Sequence, residues 1–537
     1  MEKLDSFKKV VVLMLENRSF DNLLGFLYKD GVPEGKKFEG LQEKTISNPI
    51  PKRAEGSEKN KVIEVSKAEN YHQPYPDPGE EYQHVNTQLY NYISPENIGI
   101  SASKMKPPYN IPKTTPSTPS MNGFVNDYIN TLEALSGYKT TEEEYRKIMQ
   151  CFTPDKIPVL TTLAKEFAVF DHWFCSVPSQ TWCNRSFWHA GTSGGKVINP
   201  NNLETAEQWI NDVWSQPTLF DRLSENKKSF TIYTEDYPIT ALVNGIKYCK
   251  QTEFGGLNKF KEDALKGKLP NYSFIEPKFY GQHNDQHPSA YSTSGPSKEK
   301  KLQKKNVIPK SETYTKEGTV LLGEKLIWDV YNAVKNSPER DEILLIITHD
   351  EHGGCFDHVA PGVGIPPTPK NKSKSMNFSR NNETEDTSLG FSFDRLGVRV
   401  PMVMISSFIE KNTIVNDTHD HTSFIKTMCE KWGMEGLTNR DKAAKSFAPV
   451  FSNKKRIDFP DIPEPQITDI NEKEYDDDKL NGLQKTIIKN LHLCVLHSLR
   501  EKNLNSDKLV NIKDIDTVKK AKEYMSILKL IIDGMDI

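Results

Sequence analysis

The chain has 537 residues, of which 36% are hydrophobic and 27% charged, and its formal net charge at pH 7 is −3. This length allows one large domain or several smaller ones, and the balanced charge gives no indication of a nucleic-acid partner. The seven cysteines are odd in number and form no Cys-x-x-Cys pair, which argues against a disulfide framework and a structural zinc site.

The first predicted element is a strand over Val10–Leu15, an apolar run followed directly by Glu16 and Asn17. Ligands of open α/β sheets bind beyond the carboxyl ends of strands. The side-chain oxygens of Glu16 and Asn17 suit Ca²⁺, Mg²⁺ or Mn²⁺ better than Zn²⁺. The alternative interpretation is that both side chains cap the next helix.

No secretory signal or membrane-spanning segment is recognisable in the sequence. The first apolar run is short and is needed as a strand, and no later run approaches the length of a membrane span. We therefore expect a cytoplasmic protein whose contact with a membrane is peripheral.

A second strand end carries a pair of acidic residues. Apolar residues at helical spacing over Leu322–Val334 predict a helix, which leads into a strand over Ile343–Thr348. Asp350 and Glu351 follow this strand, beside His352. Adjacent carboxylates repel each other unless a cation or a shared proton offsets the charge, so a metal site is the leading hypothesis.

The remaining elements complete an α/β chain with a C-terminal helical region. Another strand is predicted over Arg399–Ser406, and Thr422–Met428 suits a helix with a hydroxyl N-cap. We predict a catalytic domain over 1–455 and a linker with α-helices over 456–537. Two polar stretches, the lysine-rich 292–318 and 369–388, are typical of surface insertions.

Several longer segments together resemble a known family. They are Glu16-Asn17-Arg18-Ser19-Phe20-Asp21, Thr181-Trp182-Cys183-Asn184-Arg185, His283-Asn284-Asp285-Gln286-His287-Pro288 and Asp350-Glu351-His352-Gly353-Gly354-Cys355-Phe356-Asp357-His358-Val359. In this order they are similar to the phosphoesterase family, which contains bacterial phosphatidylcholine phospholipases C, plant non-specific phospholipases C and an acid phosphatase branch. The resemblance covers about residues 8 to 450, and the plant-type enzymes are the most similar branch.

The resemblance implies a fold and a chemistry. The fold would be an alkaline-phosphatase-like α/β/α sandwich with a mostly parallel sheet, and the activity would be hydrolysis of phosphate esters. The nucleophile would be Thr181, with Asn184 of the same segment also catalytic. One divalent metal ion would lower the pKa of the hydroxyl and position it. The implied metal ligands are Glu16, Asn17, Thr181, Asp350 and Glu351.

Three histidines complete the predicted site. His287 and His421 correspond to direct phosphate ligands or a general acid in this family, and to ligands of a second cation in the wider superfamily. Each could instead be structural. His352 adjoins the metal motif, where a catalytic or metal-supporting role is expected.

The sequence departs from the family pattern at three positions. Cys183 replaces a proline, His349 replaces a tyrosine, and Glu80 stands where a histidine is usual after Asp-Pro-Gly. His84, one helical turn later, is a candidate substitute for that histidine.

Three functions are compatible with these residues. The first is a phospholipase C, which would release diacylglycerol and a phosphorylated head group through a phospho-threonine intermediate. The second is a phosphomonoesterase of the acid phosphatase type, acting on water-soluble esters with the same site. The third is a non-catalytic lipid-binding protein, which the presence of Thr181 and the metal-ligand residues disfavours. The plant-type resemblance favours the first, with phospholipid as the partner and the basic insertion as a possible membrane contact.

Overall fold

The structure is a computed structural model of the chain. The residues that it describes are 3–42, 44–58, 61–137, 139–236, 238–245, 253–288, 318–368, 388–467, 476, 480, 482–506 and 509–533. Nearly all of the two predicted insertions, 292–318 and 369–388, therefore lies outside the described residues.

The centre of the molecule is an eight-stranded sheet. Its strands in chain order are β1 Lys9–Leu15, β2 Ala168–Phe170, β3 Phe230–Tyr233, β4 Glu253–Gly255, β5 Tyr272–Ile275, β6 Ile343–His349, β7 Met402–Ile405 and β8 Thr413–Val415. They lie side by side in the order β8-β2-β7-β6-β1-β5-β3-β4. Only β7 runs antiparallel to its neighbours among these described strands.

The two central strands are buried on both faces. Every residue of β6 is buried, as are Val10–Leu15 of β1. Strands of this kind read as continuous Val, Ile and Leu runs because helices cover both sides of a parallel sheet. The predicted α/β class, mostly parallel sheet and strands at these positions are confirmed.

Fifteen α-helices are described around this sheet. They are α1 Phe20–Leu24, α2 Tyr82–Tyr90, α3 Phe124–Ser136, α4 Glu142–Tyr145, α5 Pro158–Glu166, α6 Thr181–Ala190, α7 Leu203–Asp212, α8 Leu219–Glu225, α9 Ile239–Asn244, α10 Leu257–Leu265, α11 Gly318–Lys335, α12 Thr422–Trp432, α13 Asn439–Ala443, α14 Gly482–Glu501 and α15 Val518–Asp533. Helix α11 contacts both α5 and α10, and α6 contacts α8, α9 and α12.

The helix predicted over Leu322–Val334 is confirmed as the central part of α11. The helix predicted over Thr422–Met428 is confirmed as α12, but the hydroxyl N-cap is wrong. His421 is the N-cap residue, and the Thr422 hydroxyl contacts the Asp420 carboxylate instead. The Thr422 hydroxyl thus donates to a carboxylate two residues earlier in the chain instead of capping the helix.

The predicted C-terminal helices exist and pack against the catalytic part of the chain. We call their apolar contact the C-terminal cluster; it contains Trp182, Phe187, Trp209, Val243, Leu483, Ile487, Leu491 and Tyr524. Two hydrogen bonds reinforce it, from Tyr280 Oη to the Gln484 carbonyl (2.7 Å) and from Gln484 Nε2 to the Phe279 carbonyl (2.7 Å). The boundary between 455 and 456 stays a prediction.

Candidate active site

The two acidic strand ends meet at one edge of the sheet. β1 and β6 are parallel neighbours, with Leu15 opposite His349, so the residues that follow each strand lie side by side. The Asn17 amide N–H donates to Asp350 Oδ1 (3.2 Å), and the Arg18 N–H donates to the Glu351 carbonyl (3.1 Å). Sheet geometry therefore brings together the two motifs that the sequence separates by more than half of its length.

Backbone conformation allows this close approach. Asn17 has a φ of 54°, in the left-handed region that asparagine tolerates better than most residues. Gly353 has a φ of 60°, and a Cβ atom there would lie 2.3 Å from the Asn17 carbonyl oxygen. Any larger residue at position 353 would therefore push the two segments apart.

Thr181 is the first residue of α6 and is fully buried. Its hydroxyl lies 3.0 Å from Glu16 Oε2 and 3.4 Å from Asn17 Oδ1. The turn before it is fixed by Asn184, whose side chain accepts from the Val177 N–H (3.0 Å) and donates to the Ser179 carbonyl (2.7 Å). Asn184 thus supports the position of Thr181, and its predicted catalytic role stays a prediction.

Arg185 is a site residue to which the sequence analysis gave no role. It is fully buried, and its Nε donates to Glu16 Oε1 (3.0 Å) and lies 3.6 Å from Asp350 Oδ2. Burial raises the pKa of the Glu16 carboxyl and the Arg185 guanidinium partly offsets this effect. Because Arg185 holds one carboxylate oxygen of Glu16, the other faces Thr181.

The predicted ligand residues fit a hard divalent cation. All five are fully buried, and two of their carboxylate oxygens, Asp350 Oδ2 and Glu351 Oε1, have no hydrogen-bond partner within the described structure. Burial, together with Glu80 and Asp350, raises the pKa of the Glu351 carboxyl. Buried carboxylates without donors are costly unless a cation or a proton compensates them. An oxygen-only donor set is the kind that Mg²⁺, Ca²⁺ and Mn²⁺ prefer.

Glu80, not His84, reaches this site. The Asn17 amide group Nδ2 donates to Glu80 Oε2, and Gln180 Nε2 donates to Glu80 Oε1 (3.1 Å). His84 instead pairs through Nδ1 with Asp127 (2.8 Å), with its ring packed against Gly79. Burial raises the pKa of the Glu80 carboxyl to about 8.

His287 lies on the opposite side of Asn17 from Thr181. Its Nε2 is 3.0 Å from Asn17 Nδ2 and 3.7 Å from Glu80 Oε2, and its Nδ1 is 2.7 Å from the Pro288 carbonyl oxygen. Asn17 therefore presents its oxygen to the nucleophile and its amide nitrogen to Glu80 and His287. Of the three predicted histidines, His287 is the one brought beside both Asn17 and Glu80.

The other two histidines make contacts within the protein. His421 accepts from Trp173 Nε1 at Nδ1 (3.2 Å) and donates from Nε2 to the Asp350 carbonyl (2.6 Å). His352 donates from Nε2 to Gln88 Oε1 (2.7 Å), and its Nδ1 lies 3.3 Å from Glu351 Oε2. Burial lowers the pKa of the His352 imidazole to about 3, so the ring is neutral at ordinary pH. The predicted phosphate contact of His421 and the predicted catalytic or metal-supporting role of His352 stay predictions.

The three departures from the family pattern have different surroundings. Cys183 is fully buried, and burial raises the pKa of its thiol, so it supplies no nucleophile. His349 is also buried, with Nε2 2.8 Å from Gln286 Oε1, and burial lowers the pKa of its ring. Glu80 is the departure that forms a hydrogen bond with a predicted metal ligand, Asn17.

Comparison with known proteins supplies a family. The model of the phosphoesterase family matches residues 7–435. The non-specific phospholipase C6 of Arabidopsis thaliana is 32% identical over 464 residues, which cover 83% of this chain and 72% of that protein. Phospholipase C B of Mycobacterium tuberculosis is 25% identical over 339 residues, which cover 59% and 57% of the two chains.

Solved structures match more distantly. A protein of the alkaline phosphatase superfamily from Vibrio parahaemolyticus has 13% identity and a TM-score of 0.29, with 54% of this chain and 62% of that chain covered. The lipoteichoic acid synthase LtaP from Listeria monocytogenes has 12% identity and a TM-score of 0.30, with 54% and 70% covered. Within the described residues, no helix combines the length and apolar character needed to cross a membrane.

Proposed function

This chain belongs to the phosphoesterase family and is a hydrolase of phosphoric ester bonds, and from that premise we propose that it is a metal-dependent phospholipase C with Thr181 as its nucleophile. The substrate class would be glycerophospholipids, and the products diacylglycerol and a phosphorylated head group. The plant and mycobacterial relatives named as phospholipases C support this substrate class.

The observation that carries the proposal is the environment of the Thr181 hydroxyl. It is buried at the start of α6 and directed at Glu16 Oε2, 3.0 Å away, while Arg185 holds the other oxygen of the same carboxylate. A threonine hydroxyl is a weak nucleophile until a neighbouring group takes its proton or lowers its pKa. Glu16, Asn17, Thr181, Asp350 and Glu351 would hold one divalent cation, which would supply that lowering of the pKa and charge stabilisation for the phosphoryl group.

The proposed reaction has two displacements at phosphorus. Thr181 Oγ1 forms a bond to phosphorus while the bond to the glycerol oxygen breaks, and diacylglycerol leaves once that oxygen gains a proton. The proton of the hydroxyl goes toward Glu16 Oε2. Water then attacks the phospho-threonine, releases the phosphorylated head group and restores the hydroxyl. His287, beside Asn17, is the candidate proton donor to the leaving oxygen.

The test is a nucleophile series assayed on two substrates. Thr181→Ala and Thr181→Ser would be compared on phosphatidylcholine vesicles, by diacylglycerol release, and on a small phosphomonoester. We expect Thr181→Ala to retain less than about a hundredth of the wild-type rate and Thr181→Ser to retain more, because nucleophile losses are large. Thr413→Ala, on the edge strand β8, is the matched control and should leave the rate unchanged.

Acid quenching of the wild-type enzyme during turnover, followed by mass analysis of the peptide around Thr181, tests the covalent intermediate directly. A residual rate in Thr181→Ala near that of Thr413→Ala would contradict the assignment of the nucleophile. Rapid hydrolysis of the monoester with no action on vesicles would move the chain to the phosphomonoesterase alternative.

A further inference from the structure

The carboxyl group of Glu80 bridges the two segments that carry the proposed nucleophile and a proposed metal ligand. Its Oε2 accepts from Asn17 Nδ2, and its Oε1 accepts from Gln180 Nε2 (3.1 Å). Asn17 lies just after β1, and Gln180 directly precedes Thr181. A carboxyl oxygen can accept from an N–H group whether or not the carboxyl carries a proton. Glu80 therefore joins the two sides of the site in either protonation state.

The first of these hydrogen bonds fixes the orientation of the Asn17 amide. Asn17 Oδ1 lies 3.4 Å from the Thr181 hydroxyl, while Nδ2 lies beside Glu80 Oε2 and 3.0 Å from His287 Nε2. His287 Nδ1 lies 2.7 Å from the Pro288 carbonyl oxygen, which places the proton of the neutral ring on Nδ1 and leaves Nε2 as an acceptor. A reversed amide would direct its oxygen at two acceptors and its N–H groups at the nucleophile. Glu80 thus favours the orientation in which Asn17 offers an oxygen to the proposed cation.

The second hydrogen bond reaches the start of the nucleophile helix. Gln180 is the N-cap residue of α6, but its side chain makes no capping hydrogen bond, and glutamine is not a residue type that is favoured at this position. Its Oε1 instead accepts from the Asn199 N–H (3.1 Å), and Asn199 Oδ1 accepts from the Trp182 N–H (3.0 Å). Because the Asn199 N–H holds the oxygen of the Gln180 amide, the nitrogen of that amide must face Glu80.

The backbone before Glu80 is itself held by α2. The Gly79 carbonyl accepts from Gln88 Nε2 (2.8 Å). A Cβ atom at Gly79 would lie 2.3 Å from the ring of His84, so the ring and the backbone are in close contact. His84 is fixed in turn by Asp127 (2.8 Å). A side chain that is supported by locked neighbours can hold the groups that it contacts in one geometry.

We propose that Glu80 is a positioning residue, which holds the Asn17 amide and the turn before Thr181 at the separation that the reaction requires. The proposal rests on the proposed function for the roles of Asn17 and Thr181. It gives this chain its own device at a position where the family usually has histidine. A neutral imidazole has a single acceptor nitrogen and could not accept from both amides. Displacement of a catalytic group by about 1 Å can lower a rate about 100-fold.

The test exchanges the two side chains. In Glu80→Gln one amide opposes another, and in Gln180→Glu one carboxyl opposes another. The double variant Glu80→Gln/Gln180→Glu keeps the composition and the charge of the site. Its new amide at position 80 can accept from Asn17 and donate to the new carboxyl at position 180, which can still accept from the Asn199 N–H. All three hydrogen bonds are then present, and only the direction of the central one is reversed.

Each variant would be assayed on whichever substrate the wild type hydrolyses, phosphatidylcholine or the small phosphomonoester. We expect each single substitution to lower kcat about tenfold or more with KM nearly unchanged, and the double variant to recover most of that loss. The matched control is Glu81→Gln, which makes the same change of charge at the adjacent residue, whose side chain is 35% exposed. Its kcat should equal that of the wild type.

Urea unfolding of the metal-free chain gives a second measurement, which is valid whether or not the proposed function is correct. The double variant should unfold at a higher urea concentration than either single variant, because contacting residues have non-additive effects on stability. Additive effects of the two substitutions would overturn the bridge itself. If a single variant does not fold, recovery of folding and activity in the double variant supports the proposal, and failure to recover them overturns it.

Two kinetic results would also overturn the proposal. The first is a double variant with a kcat no higher than that of Glu80→Gln, since the carboxyl group would then be required at position 80 itself. The second is a pair of single variants with the same kcat as Glu81→Gln. A wild-type rate in Thr181→Ala would instead contradict the proposed function, and the unfolding measurements would then decide the bridge alone.

Discussion

Removal of the Arg399 side chain should destabilise the protein severely. Arg399 is fully buried between the segments that follow the two acidic strand ends: its Nε donates to Asp357 Oδ1 (2.9 Å) and its Nη2 to Asp21 Oδ1 (3.0 Å). Its Nη1 also donates to the carbonyls of Glu39 (2.8 Å) and Asp171 (2.7 Å). Arg399→Met keeps much of the side-chain volume and removes every one of these donors.

The magnitude follows from the two carboxylates that would remain. Asp21 and Asp357 are both fully buried, and removal of one partner from a buried ion pair typically costs about 3–5 kcal/mol. Burial raises the pKa of Asp21, but Arg399 and His358 outweigh it and hold the pKa below its usual value. Without Arg399 the pKa of Asp21 should rise, so the variant should lose less stability in acid than at neutral pH.

Urea unfolding at pH 7, followed by circular dichroism, measures this loss. The matched control is Arg500→Met, because Arg500 has a side chain that is 58% exposed and a distant partner in Glu207 (3.5 Å); its effect should stay within about 0.5 kcal/mol. A loss below about 1 kcal/mol for Arg399→Met would refute the reasoning, since it would mean that water or other donors satisfy both carboxylates.

Three further predictions concern single groups. His352, with a pKa of about 3, should add no limb to the pH–rate profile between pH 5 and 9, and His352→Asn should lower the rate about tenfold or more without changing the profile's shape. Burial lowers the pKa of His84, but Asp127 outweighs this effect and raises it to about 9. Because this pKa exceeds that of histidine in the unfolded chain, the pairing should stabilise the folded protein fully below about pH 6.5, and this stabilisation should be lost as pH rises through about 9. Urea unfolding of the wild type and of Asp127→Asn across this pH range would measure the loss. Cys183 should react with a thiol reagent only after unfolding, measured by labelling with and without urea.

The sequence predicted the parts of the site that depend on local pattern. Val10–Leu15 and Ile343–Thr348 are apolar runs that suit strands of a doubly covered parallel sheet, and the residues after parallel strands share one edge of that sheet. Their adjacency in the structure confirms that inference. Thr181 was predicted as the nucleophile only through family resemblance, because an isolated threonine at the start of a helix has no distinguishing pattern.

What the sequence could not predict depends on contacts between distant segments. The pairing of Arg185 with Glu16 joins a helix to a strand end, and no spacing rule links the two positions. Glu80 lies in the loop between the cis prolines Pro74 and Pro76 and helix α2. The orientation of its side chain is set by hydrogen bonds from Asn17 and Gln180 rather than by its neighbours in sequence. His84 was a reasonable candidate from spacing, but Asp127 of α3 holds it elsewhere.

The C-terminal cluster has a consequence for folding during synthesis of the chain. Trp182 and Phe187, on the helix that begins with Thr181, pack in the same cluster as Leu483 and Tyr524 near the end of the chain. A ribosome therefore completes every proposed catalytic residue well before the apolar cover of the nucleophile helix emerges. During that interval the helix exposes aromatic surface, which favours chaperone contact and aggregation. Complete packing of the nucleophile helix therefore requires residues that are synthesised after all of the proposed catalytic residues.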